Sequence, residues 1–317
     1  MFLCLSLAAV SFAGTGCGAD TGEETPEEET DLSNFLDTIE DSAGDEQTAQ
    51  EGRTGSTAAD ASSGGASGEQ AAQDAREGDT GADASFSGIS GEQAARETDG
   101  QDKGIVVIDP GHQRYANTEQ EPIGPGSSQT KYKVSGGTVG AATGIPEYEL
   151  ALRISLKLRD ELEKRGYRVV MVRESNDVDL SNSERAAVAN EADADVFIRI
   201  HANGSGDSSR TGAMTICQTP GNVFNGDLYT QSRALADCVL NAYTKKTGID
   251  YEYVWETDTM SGINWCRVPT TILEMGYMSN IQEDYRMQDP EMQALMVEGI
   301  ADGIDAYMEQ TQTEKMR

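Results

Sequence analysis

The chain has 317 residues, with 55 Asp plus Glu against 24 Lys plus Arg, a formal net charge of −31. That balance argues against nucleic acid, whose phosphates are met by Lys and Arg, and against electrostatic docking on an anionic membrane surface. Hydrophobic residues are only 37%, below the near-half of a fully folded soluble chain, so part of the sequence is expected to carry no fold.

Residues 1–17 read as a targeting segment. MFLCLSLAAVSFA (1–13) is an apolar core of the length of an export signal rather than of an anchor helix. No run of about 18 or more apolar residues follows. Small residues lead to Cys17 in GTGCGAD, which resembles a bacterial lipobox, where the Cys carries the lipid. Gly14 stands where a Leu-like residue is usual, and no basic residue precedes the core. The expectation is an exported protein that meets the membrane only through a lipid on Cys17. Ordinary cleavage with Cys17 incidental is the alternative.

Residues 18–103 read as a disordered acidic linker. The segment holds 23 acidic residues against Arg53, Arg76, Arg96 and Lys103, and is rich in Gly, Ser, Ala and Thr. Too little apolar surface is present to offset chain entropy. SGEQAA occurs twice, at 67–72 and 90–95, as a local duplication. In DLSNFLDTIED, Leu32, Phe35, Leu36 and Ile39 fall on one helical face, in a stretch too short to be stable alone.

From Gly104 to Arg317 the pattern is that of one folded domain. GIVVID (104–109), YRVVMVR (167–173), DVFIRI (195–200), GAMTICQ (212–218) and TTILEMG (270–276) are short, β-branched apolar runs without strict alternation. Such runs suit strands covered on both faces. Between them, residues 146–165 carry Leu150, Ile154, Leu158 and Leu162 on one stripe, and Gly166 is placed to end that helix. Residues 182–191, 229–247 and 290–308 are further predicted helices. Alternating strand and helix predict a single α/β domain with a largely parallel, doubly wound sheet flanked by helices.

The chain has two histidines. His112 follows the first predicted strand in VVIDPGHQ, and His201 ends the third in FIRIHAN. Open α/β sheets bind ligands outside the carboxyl ends of their strands, so two histidines at that edge point to a site rather than to core filling. Two neutral imidazoles and a carboxylate make a three-ligand zinc set with a fourth position open. A helix N-terminus favours a carboxylate, and Glu147 and Glu149 both stand at the start of the helix that follows Pro146. Glu274 lies inside the apolar run TILEMGYMSN. A carboxylate there is expensive unless paired or used, and the fitting role is general base and then general acid.

DPGH, PEYEL, IRIHAN and PTTILEMGYMSN, in that order, resemble the zinc-dependent N-acetylmuramoyl-L-alanine amidases of the amidase-3 type over about 105–308. The resemblance implies one catalytic Zn2+ held by His112, Glu147 and His201, with Glu274 catalytic. It selects Glu147 over Glu149 because the family ligand lies three residues before the first helix Leu, here Leu150. It also implies hydrolysis, in peptidoglycan, of the amide between N-acetylmuramic acid and the L-alanine of the stem peptide. Another zinc hydrolase trimming wall peptides and an inactive wall-binding module are the rival readings. A monomer is expected.

The long Gly-, Thr- and Ser-rich stretch between His112 and Glu147 is a departure from compact members of the family, and loops over strand ends carry recognition. LSNSERAAVAN (180–190) looks like a helix of the family, with Arg185 and Asn190 expected to be structural. Cys217, Cys238 and Cys266 show no metal-like spacing, and buried free thiols are expected.

Overall fold

The structure, a computed structural model, describes residues 103–315. The expectations for the targeting segment, for Cys17 and for the acidic linker therefore fall outside the described residues.

Six strands form the main sheet: β1 (Ile105–Pro110), β4 (Arg168–Met171), β5 (Val196–Asn203), β6 (Ala213–Cys217), β7 (Tyr251–Glu256) and β8 (Thr270–Tyr277). Their order is β4-β1-β5-β8-β6-β7. The pairs β1/β4, β1/β5 and β5/β8 are parallel, which makes the expected parallel unit. Across the boundary with β8, β6 runs antiparallel, and β7 lies parallel to β6. Strands β2 (Asn117–Pro122) and β3 (Thr130–Val134) form a separate antiparallel hairpin.

The helices are α1 (Glu147–Lys164), α2 (Asn182–Glu191), α3 (Tyr229–Thr247), α4 (Ser261–Asn264), α5 (Ile281–Gln288) and α6 (Pro290–Lys315). Successive side chains of a strand point to opposite faces, and β1 shows both being buried. Val106 and Ile108 join the core under α1, α3 and α6, while Val107 joins the core with Ala186, Ala189 and Cys266 on the other side. Helix α1 buries the predicted stripe of Leu150, Ile154, Leu158 and Leu162. It ends on Gly166 at φ 93°, with Gly166 N–H donating to Glu163 O and Tyr167 N–H to Leu162 O, a Schellman closure. A capping box of Ser181 and Glu184 starts α2. Gly299 and Gly303 of α6 lie so close to α3 that a Cβ on Gly303 would sit 2.5 Å from the Val239 Cα.

Several elements were not predicted. Strand β7, YEYVWE, mixes acidic and aromatic residues at the edge of the sheet and is only partly buried, so a search for continuous apolar runs passes over it. Hairpin strands NTEQEP and TKYKV are polar and mostly exposed. Tertiary contacts hold them instead: Trp265 Nε1–H donates to Pro122 O, and Glu121 Oε2 accepts from Ser183 N–H and Oγ–H. The described cysteines are free thiols, Cys217 and Cys266 buried and Cys238 half-buried. Burial pushes Cys217 and Cys266 up to about 12, which keeps them protonated and unreactive.

Candidate metal centre

The site stands at the carboxyl edge of the parallel strands. The first histidine reaches it through a constrained turn. After β1, Gly111 N–H donates to Ile200 O of β5 (2.9 Å). The backbone then enters the left-handed region at His112, φ 55°, which is uncommon for a residue with a Cβ. Two features fix this turn. Gly111 has no side chain because a Cβ there would lie 2.5–2.6 Å from the imidazole of His201. Arg185, fully buried, donates to Asp109 Oδ1 (2.6 Å), Pro110 O (3.1 Å), His112 O (3.0 Å) and Gln113 Oε1 (2.9 Å).

Asp109 is the centre of a buried ion triad, since its Oδ2 also accepts from Arg199 Nε (2.8 Å). Burial alone would raise its pKa, but Arg185 and Arg199 outweigh this and hold it down to about 2. A group lowered on folding contributes its stability above the unfolded value and loses it as pH falls through the folded value. Asp109→Ala is accordingly expected to lower the unfolding free energy by about 3–5 kcal/mol at neutral pH, the scale for opening a buried ion pair. It should also flatten the loss of stability between about pH 4 and pH 2. Urea unfolding from neutral pH down to about pH 2 checks both, and a variant as stable as the parent at neutral pH would contradict them.

Three side chains converge beyond this turn. His112 Nε2 lies 3.1 Å from Glu147 Oε1, His201 Nδ1 lies 3.1 Å from the same oxygen, and the two histidine nitrogens are 3.1 Å apart. Glu149, the alternative at the start of α1, is not in this group. Two of the three are oriented by main-chain hydrogen bonds. His112 Nδ1 faces Ser135 O at 3.0 Å, a contact that places the ring proton on Nδ1 and leaves Nε2 with a lone pair. Glu147 Oε2 accepts from Thr138 N–H (2.9 Å) and Oε1 from Ala202 N–H (3.1 Å). His201 lies in β5 just before a register shift against β8.

The arrangement fits a divalent metal. Three acceptor atoms at mutual 3.1 Å separations share at most one proton, so their lone pairs oppose one another unless a cation lies among them. Ligands about 2.0–2.1 Å from a tetrahedral zinc are roughly 3.3 Å apart, close to the observed edges. Burial lowers His201 to about 4 against the pull of Glu147, so the ring is neutral at neutral pH, as a ligand must be. Burial would raise Glu147, but His112 and His201 overcome it and keep the carboxylate ionised.

Glu274 is the register partner of His201 on the adjacent strand β8. Its Oε2 is buried with no hydrogen-bond partner among the described residues, and so is His201 Nε2. Burial, helped by the charge of Glu147 and opposed by Arg199, raises the Glu274 pKa well above the usual carboxylate value. A strand-borne carboxyl that has no salt bridge among the described residues, has a raised proton affinity and adjoins a metal-type triad is suited to proton transfer.

Sequence reasoning missed the main-chain part of the site. Ser135 O and Thr138 N–H belong to the stretch between His112 and Glu147, which runs through the hairpin and then wraps back over the triad. Gly137, at φ 79°, passes so close that a Cβ would lie 2.9 Å from the His112 ring. Backbone groups leave no residue-type signature, and the closely spaced Gly136, Gly137 and Gly140 were the one available hint of close approach. The wrap is pinned to α5 by Asp284, which accepts from Ala142 N–H, Thr143 N–H and Thr143 Oγ1–H at 2.8 Å each.

Residues 106–306 match the family described as N-acetylmuramoyl-L-alanine amidase. The chain belongs to that family. Its reaction class is hydrolysis of the amide bond between N-acetylmuramic acid and L-alanine in peptidoglycan. The amidase domain is similar to the catalytic domain of CwlV from Bacillus (Paenibacillus) polymyxa var. colistinus, at 28% identity and a TM-score of 0.52 over 65% of this chain and 98% of that one. It is also similar to Ami1 of Mycobacterium smegmatis, at 26% identity and a TM-score of 0.60 over 66% and 98%. LytH of Staphylococcus aureus, a probable cell wall amidase, is 28% identical over 64% of this chain, and the match spans 57% of LytH.

Proposed function

We propose that residues 104–317 are the catalytic domain of a zinc-dependent wall amidase, with His112, Glu147 and His201 as the zinc ligands and Glu274 as the proton carrier. One observation carries the ligand assignment: three lone-pair atoms, from the turn after β1, the start of α1 and β5, meet at 3.1 Å with a proton for at most one contact. When bound, zinc supplies a Lewis acid and lowers the pKa of water in its reach.

The protein's own groups do the rest. Glu274 accepts a proton from the attacking water as the water oxygen bonds to the acyl carbon. It then returns that proton to the nitrogen of L-alanine as the C–N bond breaks, so proton and leaving group balance. Its raised pKa suits both halves, since a carboxyl with a higher proton affinity is the stronger base and can still donate to an amine. Glu147 is anchored by Thr138 and Ala202 N–H groups, and His112 by Ser135 O, so neither ligand has to be ordered when the metal arrives.

Analysis of digested peptidoglycan tests the reading. An amidase frees stem peptides that begin with L-alanine and leaves the glycan strand intact. A peptidase shortens stems that remain attached to muramic acid, and a wall-binding module releases nothing.

Export, lipid attachment at Cys17 and monomeric action complete the proposal. The acidic segment 18–103 would then tether the domain within reach of the wall, while one end is held at the membrane through the acyl chains. Cys17→Ser is expected to move the full chain from the membrane fraction to the soluble one without altering cleavage of soluble peptidoglycan fragments. Retention in the membrane fraction would refute the anchor and leave the amidase assignment untouched.

A further inference from the structure

We propose that Arg173 is a positioning residue that sets the spacing of two metal ligands, a role that rests on the zinc reading above. Arg173 follows β4 and is 3% exposed. Its guanidinium reaches both ligand-bearing segments at once. Nε donates to Pro110 O (2.9 Å) and one terminal nitrogen to Gly111 O (2.8 Å), the two residues before His112. That same nitrogen donates to Tyr148 O (3.0 Å), next to Glu147 on the first turn of α1. The other nitrogen is held by Asn176 Oδ1 (2.9 Å) and Ser175 O (3.2 Å).

Each of these acceptors is a neutral oxygen. A buried arginine with no carboxylate in direct contact is a poor structural investment, since desolvation of the charge is not offset by an ion pair. Its planar fork nevertheless does what few side chains can, holding carbonyls of two different segments at fixed separation. Those segments carry His112 and Glu147, whose ligand atoms lie 3.1 Å apart. The His112 segment also has to stay in the left-handed region, where the backbone persists only when its surroundings over-determine it. Arg185 grips the same turn from the Asp109 side but makes no contact with α1 among its described hydrogen bonds. Arg173 alone among the described residues joins the turn to the helix in this way. Arg173 is buried and its described hydrogen bonds all go to the protein, so the effect is expected in metal affinity.

The test uses full-length protein carrying Arg173→Lys, which keeps the charge and loses the fork. Zn2+ affinity is read by competition with a chromophoric chelator, and unfolding midpoints are read for metal-free and zinc-loaded protein. The expected result is zinc binding weakened roughly 10–100-fold, the scale for partners that orient metal ligands. The stabilisation that zinc confers should shrink to match. A purely structural arginine would lower both midpoints together and leave zinc affinity unchanged, which would overturn the proposal. If Arg173→Lys does not fold, Asn176→Ala decides. It frees one end of the guanidinium from a partly exposed position and should weaken zinc about 3-fold, whereas unchanged affinity overturns the proposal. Parent protein that binds no zinc would defeat the metal reading itself, a result distinct from parent and variant binding equally well.

Discussion

Glu274→Gln is expected to keep zinc bound and to lower turnover by roughly 10²–10⁴-fold, the range for loss of a general acid–base group. The substitution preserves shape and leaves an amide that cannot take up a proton at working pH. Nothing in the fold depends on the charge: Glu274 has no salt bridge among the described residues, and its Oε2 has no hydrogen-bond partner. Glu274 is not one of the three converging groups that could hold a metal, so zinc should stay bound. Zinc content and single-turnover rates on peptidoglycan fragments separate the possibilities. Loss of zinc along with activity would make Glu274 a ligand and disprove the assigned role.

His112→Ala and His201→Ala are each expected to remove both the metal and the activity. Either change leaves two of three donors, and it leaves the buried carboxylate of Glu147 with only one of its two imidazole neighbours. The consequences for stability should differ. His201 Nε2 has no described partner, and its ring packs on Gly111, so Ala opens a gap beneath the turn. His112, in contrast, is held at φ 55°, and Ala inherits the strained backbone without the Nδ1 contact to Ser135 O. Full activity of either variant, or of extensively chelated parent protein, would defeat the metal mechanism.

What could be read from the residues is what rests on apolar burial. Strands β1, β4, β5, β6 and β8 announce themselves as apolar runs because the sheet is covered on both faces, and the four long helices show their buried stripes. Both histidines and Glu274 were visible because each sits at or in such a run, where a titratable group needs a reason. Less legible was everything held by polar contact. The hairpin strands β2 and β3 bury little and depend on Trp265 and Ser183 from distant parts of the chain. Direction was hidden as well: GAMTICQ reads as a covered strand whichever way it runs, and only the path of the chain makes β6 antiparallel to β8. The choice between Glu147 and Glu149 was open on helix position alone, because both stand in the first turn of α1. Arg173 sits at the end of a predicted strand as one more polar residue, and its significance lies in carbonyls that no pattern displays.

The excursion from His112 to Glu147 begins at one ligand and ends at the other, so a cation shared by both would close it like a clasp. The entropy of closing a flexible loop grows only with the logarithm of its length. An enlarged insertion therefore weakens the clasp little, provided its returning end is moored. Asp284 supplies that mooring, gripping Ala142 and Thr143 a few residues before Glu147. Length and composition of the hairpin are in this way uncoupled from the ligand set. The exposed residues of its tip can change while the ligand set beneath them stays in register.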